Sequence, residues 1–278
     1  MAFKGGTSLS KVYGAIRRFS EDVDVTVDYK SLDQSIDPFD AKTSRTAKEK
    51  FTELLRTKLA DHTKNVIRPH FENLVAQLAE KPPKPITISD DGEKLFIPYP
   101  SRFGADESVF LEFGGRNVIA PAEDYPLKPY IAAEIPQLRF PEATVRVLSA
   151  SRTFWEKATL IHVACNRSDP KLDADRQSRH WHDLAVLADQ KIGEASLADR
   201  ALLEDVVRHK SVFFRASYAN YDACLSGGLR LIPRTPLLQS LAADYEKMIA
   251  DGMFEGEPPS FDSIIARLKE LERQINSW

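Results

Sequence analysis

Phe3-Lys4-Gly5-Gly6-Thr7-Ser8-Leu9-Ser10-Lys11-Val12-Tyr13-Gly14 and, shortly after it, Arg17-Arg18-Phe19-Ser20-Glu21-Asp22-Val23-Asp24-Val25-Thr26-Val27-Asp28 set the reading of the whole chain. In the first segment a glycine pair precedes hydroxyl residues and apolar residues at helical spacing, which predicts a strand end, a tight loop and a helix start. Gly5 and Gly6 allow backbone angles that other residues resist, and Thr7 or Ser8 can cap the helix. In the second, apolar and polar residues alternate with period two. Val23 to Val27 is therefore a predicted strand with Asp22 and Asp24 on one face. Alone, Gly-Gly-Thr-Ser is an ordinary turn and cap, and the two aspartates are surface residues of an edge strand. Together, with fifteen residues between Gly6 and Asp22, they supply backbone N–H groups and hydroxyls for a triphosphate and a carboxylate pair for a hard cation such as Mg²⁺.

Outward from this stretch, Ser44 to about Glu80 carries no Gly and only Pro69, with apolar residues at helical spacing, and predicts two helices meeting near the proline. Lys81-Pro82-Pro83-Lys84-Pro85 punctuates the chain. Short β-like runs follow at Ile86 to Ser89, Lys94 to Tyr99, Val109 to Phe113, Tyr130 to Ile135 and Thr144 to Leu148. After Ala150 the pattern turns helical: Thr153 to Cys165, Ser178 to Ala188, Leu197 to His209, Pro236 to Ile249 and Phe261 to Ile275. The expected class is α/β (α+β), with a mixed-sheet domain over 1–150 and a helical C-terminal domain over 151–278.

Composition narrows the function classes. The 278 residues carry 38 Lys plus Arg against 41 Asp plus Glu, a formal charge of −3, so no global field attracts nucleic acid and any such contact must be local. The 42% hydrophobic fraction is that of a folded globular chain. No apolar stretch approaches the ~18 residues of a membrane span and no leader precedes the first strand, which places the expected protein in the cytoplasm without a membrane partner. Cys165 and Cys224, the two cysteines present, form no Cys-x-x-Cys pair and predict no disulfide scaffold.

A third carboxylate, Glu112, lies in Leu111-Glu112-Phe113 among apolar neighbours, where burial needs a cation or a partner such as Arg146. Three carboxylates on adjacent strands suit two metal ions ~3.5–4 Å apart. His162-x-x-Cys165 with His180-x-His182 has zinc-ligand chemistry, but its spacing and aromatic neighbours favour core packing. Arg167, Lys171, Arg176 and Arg179 surround a polar loop whose own acids, Asp169, Asp173 and Asp175, offer a solvated reading beside that of an RNA track. Of Arg17 and Arg18, one can contact nucleotide and the other serve as an ion-pair partner. Trp155 and Trp181 read as core anchors.

Five segments in this order resemble the AbiEii/AbiGii nucleotidyltransferases, which include the MenT toxins, within the DNA polymerase β-like superfamily. They are Phe3 to Lys11, Arg18 to Asp24, Leu111-Glu112-Phe113-Gly114, Thr153-Phe154-Trp155-Glu156-Lys157 and Ser178-Arg179-His180-Trp181-His182-Asp183-Leu184. The resemblance implies a metal-dependent transfer of NMP from an NTP with release of pyrophosphate. The enzyme would be a bacterial type IV toxin acting on a tRNA 3′ end and neutralised by an antitoxin. It assigns Gly5, Gly6, Thr7, Ser8 and Lys11 to nucleotide binding, and Asp22 and Asp24 to Mg²⁺. Glu112 takes the place of the usual third carboxylate as metal ligand or base. Lys157 matches a lysine that meets the nucleotide phosphates, and Asp183 an aspartate that helps to place it. Relatives carry several tens of mostly helical residues before the Phe-Lys-Gly-Gly segment. Their absence here makes a catalytically silent antitoxin-binding remnant one alternative, and a small-molecule or protein nucleotidyltransferase the other.

Overall fold

The computed structural model describes residues 1–20, 22–78, 84–100, 107–169 and 175–278. The chain divides into two compact units, Met1–Ser8 with Ser20–Leu148, and Leu9–Phe19 with Ser149–Trp278.

The first unit contains β1 (Ala2–Lys4), the opening turn of α1 (Gly5–Lys11), β2 (Asp22–Asp28), α2 (Tyr29–Leu32), α3 (Arg45–His62), a π turn (Thr63–Ile67) and α4 (Arg68–Ala76). β3 (Thr87–Ile88), β4 (Lys94–Tyr99), β5 (Glu107–Asn117), β6 (Ala122–Leu127), α5 (Ile131–Glu134) and β7 (Ala143–Leu148) complete it. Among the described residues the strands form one mixed sheet in the order β3-β4-β5-β2-β1-β7-β6. β2 runs parallel to β5 and antiparallel to β1, and β1 runs parallel to β7. One face of the sheet is apolar: Val25, Val27, Leu95, Leu111 and Phe113 pack with Leu59, Ile67, Phe71 and Val75 from the helical segment. That segment is helical because Phe51, Leu55 and Leu59 recur four residues apart on one buried side, and because Ser44 caps its start by accepting from the Ala47 N–H. Pro69 cannot donate a backbone hydrogen bond. The chain widens ahead of it into a π turn, where the Arg68 N–H reaches the Thr63 carbonyl, and so continues through the proline with a local defect.

The second unit consists of α6 (Ala150–Asn166), α7 (Arg179–Ala188), α8 (Lys191–Ala198), α9 (Arg200–Phe213), a short 3₁₀ turn (Tyr221–Leu225), α10 (Thr235–Ala250) and α11 (Phe261–Asn276), together with the segment Leu9–Phe19. Leu9, Phe154, Trp155, Ile161, Trp181, Leu184, Tyr245 and Leu268 share one core. α11 buries Phe261, Ile264, Ile265, Leu268, Leu271 and Ile275, the 3–4 spacing of an amphipathic helix, and Ser260 caps it. The Leu9–Phe19 segment is held by backbone bonds from Phe19 to Met253 (2.7 Å) and from Glu255 to Arg17 (3.0 Å). No helix among the described residues is long and apolar enough to cross a membrane.

The α/β class is as expected from the sequence, and several local expectations change. Gly5 opens α1 directly after β1, with no intervening loop. Tyr130 to Ile135, read as β-like, contains the helical turn α5. β6 was not anticipated: Ala-Glu-Asp-Tyr-Pro-Leu has little apolar alternation and a proline, which an edge strand paired only with β7 tolerates. The helix expected over Leu197 to His209 is two, broken at Asp199, whose carboxylate accepts from the Leu202 N–H (3.0 Å) to start α9. Lys81, Pro82 and Pro83 lie outside the described residues.

Leu95 is fully buried in the core of the first unit, whereas Leu138 is 57% exposed. Leu95→Ala is expected to lower stability by about 2–5 kcal/mol and Leu138→Ala by less than about 0.5 kcal/mol in chemical denaturation.

Candidate active site

The register of four adjacent strands lines up a charged row on the sheet face opposite the apolar one. Lys4 of β1 lies across from Asp24 of β2, Asp24 lies beside Glu112 of β5, and Glu112 lies across from Lys94 of β4. Asp22, two residues before Asp24, shares this face and lies beside Phe110. Both aspartates are partly exposed. Gly5 is essential to the arrangement. Its φ is +78°, and a Cβ built there would stand 1.9 Å from Asp24 Oδ2, so the carboxylate occupies space that only glycine leaves. Thr7 Oγ1 donates to the Asp22 carbonyl and ties the first turn of α1 to β2. Ser8 Oγ donates to the Gly5 carbonyl at 2.9 Å. The two hydroxyls therefore bond carbonyls and do not cap the helix. Gly6 is buried in the same turn, and Lys11, in the last turn of α1, has its ammonium pKa lowered by burial.

Glu112 is not sealed in an apolar setting. It is about 37% exposed and pairs with Lys94 at 3.0 Å, while Arg146 faces Asp124 at 3.8 Å. The hydrogen bond from Lys94 to Glu112 raises the lysine pKa against the opposing effect of burial, with a smaller contribution from Asp22. Lys94 thus belongs to the charged row, although its place at the head of an apolar run gave no sign of it; the antiparallel register reveals the pairing. Among the described residues no three His, Cys, Asp or Glu side chains converge as a metal-holding group. Asp22 and Asp24, two oxygen donors on one partly exposed face, fit a hard cation.

In the second unit the chemistry gathers at Asp183 of α7, which is fully buried. Arg18 grips it through two bonds of 2.7 Å, Nε to Oδ1 and Nη2 to Oδ2, and Lys157 Nζ lies 2.9 Å from Oδ2. His182 Nδ1 lies 3.2 Å from Oδ1. Burial alone would raise the Asp183 pKa, but Arg18 and Lys157 overcome it and hold the carboxyl well below its usual range. Burial, with Arg18 nearby, lowers the Lys157 pKa against the pull of Asp183. Of the two adjacent arginines, Arg18 is the ion-pair partner of Asp183.

The other described sequence candidates lie elsewhere in the second unit. His162 bonds the Asn220 carbonyl (3.1 Å) and accepts from the Arg230 N–H (2.9 Å). Cys165 is buried, its thiol pKa pushed up to about 12 by burial. Trp155 and Trp181 are buried in the core. Arg167 lies over the Tyr218 ring at 5.6 Å and Arg176 pairs with Asp175 at 3.7 Å. Lys171 and Asp173 lie outside the described residues, as does Glu21.

A mixed sheet carrying a strand-borne aspartate pair packed against a glycine-opened helical turn defines the class, an α/β protein whose sheet presents two oxygen donors beside the start of a helix. Residues 1–267 match the model of the family described as "Nucleotidyl transferase AbiEii toxin, Type IV TA system". The chain belongs to this family of nucleotidyltransferase toxins. No curated protein matches its sequence. Among solved structures it is similar to the nucleotidyltransferase toxin MenT4 (Rv2826c) of Mycobacterium tuberculosis H37Rv, at 14% identity and a TM-score of 0.43 over 99% of this chain and 84% of that one.

Gly5→Ala and Gly14→Ala both place alanine at positive φ, but only Gly5 meets a neighbour, since nothing lies within 4 Å at Gly14. Each should cost about 1–3 kcal/mol through the backbone. Only Gly5→Ala should also displace Asp24, read as a loss of divalent-cation affinity. Removing one partner of the buried ion pair should be more severe: Arg18→Ala is expected to cost about 3–5 kcal/mol. Because the folded-state pKa of Asp183 is depressed, its contribution is fully present above about pH 4 and is lost as pH falls through the lower folded value. Urea titrations at several pH values should therefore show a shallower acid loss of stability in Asp183→Asn than in the parent.

Proposed function

We propose that this chain transfers a nucleoside monophosphate from an NTP to the 3′ end of a tRNA and releases pyrophosphate, as a toxin of the cytoplasm restrained by a cognate antitoxin. The observation that carries the reading is the Asp22–Asp24 pair on β2, with the Asp24 carboxylate seated in the space left by Gly5. In the reaction the oxygen of the acceptor hydroxyl bonds to the α-phosphorus while the bond from that phosphorus to the pyrophosphate oxygen breaks. Asp22 and Asp24 would hold Mg²⁺, which supplies charge neutralisation on the phosphates when bound. The Gly5 to Ser8 turn contributes backbone N–H groups toward phosphate oxygens, and Lys11 adds a cation. Glu112, set beside Asp24 by the strand register, receives the acceptor proton, and Lys94 holds it in place until then. Lys157 is the cation for nucleotide phosphate, and Asp183 with Arg18 positions it.

Incubation of the purified chain with each α-labelled NTP, Mg²⁺ and total tRNA should place label in RNA. Asp24→Ala should reduce it by at least about a hundredfold, the scale of removing a group that stabilises the transferring phosphorus. Lys157→Ala should do the same once its folding has been verified. Label in protein or a small molecule instead of RNA, or none with any NTP, contradicts the tRNA reading.

A further inference from the structure

Beyond the charged row, the same sheet face carries a pair of aromatic rings that the reaction above does not use. Phe96 of β4 and Phe110 of β5 are cross-strand partners with ring centroids 5.8 Å apart and planes inclined by 37°. Both are only half-buried, and neither joins the apolar core on the other side of the sheet. Lys94 Nζ stands 5.4 Å from the Phe110 centroid, so a cation borders the rings. Phe110 lies directly beside Asp22 in the parallel β2–β5 register and two residues before Glu112. Phe110 is thus about one strand spacing, ~4.8 Å, from the strand that carries Asp22, and Phe96 about two.

We propose that Phe96 and Phe110 form the platform on which the terminal nucleobase of the RNA acceptor stacks. The proposal rests on the RNA-acceptor reading given above and names the residues that would present the acceptor end. Rings on an open sheet face, bordered by a lysine, are the means by which proteins hold single-stranded nucleic acid without reading its sequence: the base lies on the ring and the cation serves the backbone. Topology selects the acceptor base over the donor base. β5 and β4 flank β2 on one side, whereas β1, from which the Gly5 to Ser8 turn springs, flanks it on the other. With donor phosphates at the glycine turn, the attacking hydroxyl must arrive from the opposite side of the phosphorus, since displacement is in line. That is the side of Phe110.

The test is binding without turnover. A short single-stranded RNA with 2-aminopurine as its 3′-terminal base is titrated with the intact chain, and quenching of the base reports stacking. A parallel arm uses 2-aminopurine riboside triphosphate as the donor probe. Phe96→Leu and Phe110→Leu keep apolar bulk but remove the ring, and each should weaken oligonucleotide binding by about fivefold to a hundredfold and abolish the quenching. Phe96→Tyr and Phe110→Tyr, which keep the ring, should restore both, and triphosphate binding should stay at the parental level in all four. Undiminished quenching in both leucine variants overturns the proposal, as does weakened triphosphate binding with oligonucleotide binding intact, which would assign the rings to the donor base. If the intact chain labels tRNA while the leucine variants bind RNA normally, the platform fails and the transferase reading stands. If the intact chain neither binds the oligonucleotide nor labels tRNA, the RNA-acceptor reading fails and the platform with it.

Discussion

The parallel pairing of β2 with β5 is the constraint on which the first unit depends. It is made near the middle of the sheet, and it determines at once what faces the core and what faces out. Val23, Val25 and Val27 run beside Leu111 and Phe113 on the core side, and the intervening residues Asp22 and Asp24 are thereby set beside Phe110 and Glu112. Because strand side chains alternate with period two, a slip of one residue would bury the carboxylates and expose the valines. The hydrophobic effect that assembles the core therefore also holds the charged row in register. The cost of gathering carboxylates on one face is offset by Lys4 and Lys94 at the row's two ends, opposite Asp24 and Glu112.

The second unit solves a similar problem in a drier setting. Asp183 is wholly buried and ionised, which is tolerable because a bidentate guanidinium and an ammonium reach it and His182 adds a further bond. Arg18 comes from the short Leu9–Phe19 segment, whose backbone is pinned to Met253 and Glu255. A residue 165 positions away in sequence is thus the main partner of the α7 carboxylate, and the same ion pair fixes both the segment and the lysine on α6. Four contacts on one carboxylate hold the Lys157 ammonium in a defined place, which spares the phosphate contact proposed for it the cost of ordering a long side chain.

What could be read in the residues follows from how local each signal is. The strand at Asp22–Asp28 and the helices at Ala150–Asn166 and Phe261–Asn276 were visible because alternation or 3–4 spacing is written within a dozen residues. β6 and α5 were missed because an edge strand and a single helical turn need little apolar pattern, and there tertiary pairing overrides propensity. The aspartate pair was legible as a motif, yet the reason for Gly5 was not: its freedom serves the close approach of Asp24, a contact that no spacing reveals. Likewise the bidentate partner of Asp183, Arg18, lies 165 residues away in sequence, so no local spacing points to it. The Lys94–Glu112 pair belongs to the same class of information, since it depends on which strands are neighbours.

The proposed transfer requires Asp22 and Asp24 to act together as its cation site. Binding of Mn²⁺, followed by the loss of its free electron-paramagnetic-resonance signal in the presence of an NTP, tests this most directly. The prediction is that the intact chain binds the ion and that Asp22→Asn and Asp24→Asn each weaken binding at least about tenfold while the fold is retained. Parental Mn²⁺ affinity in both variants would contradict the account.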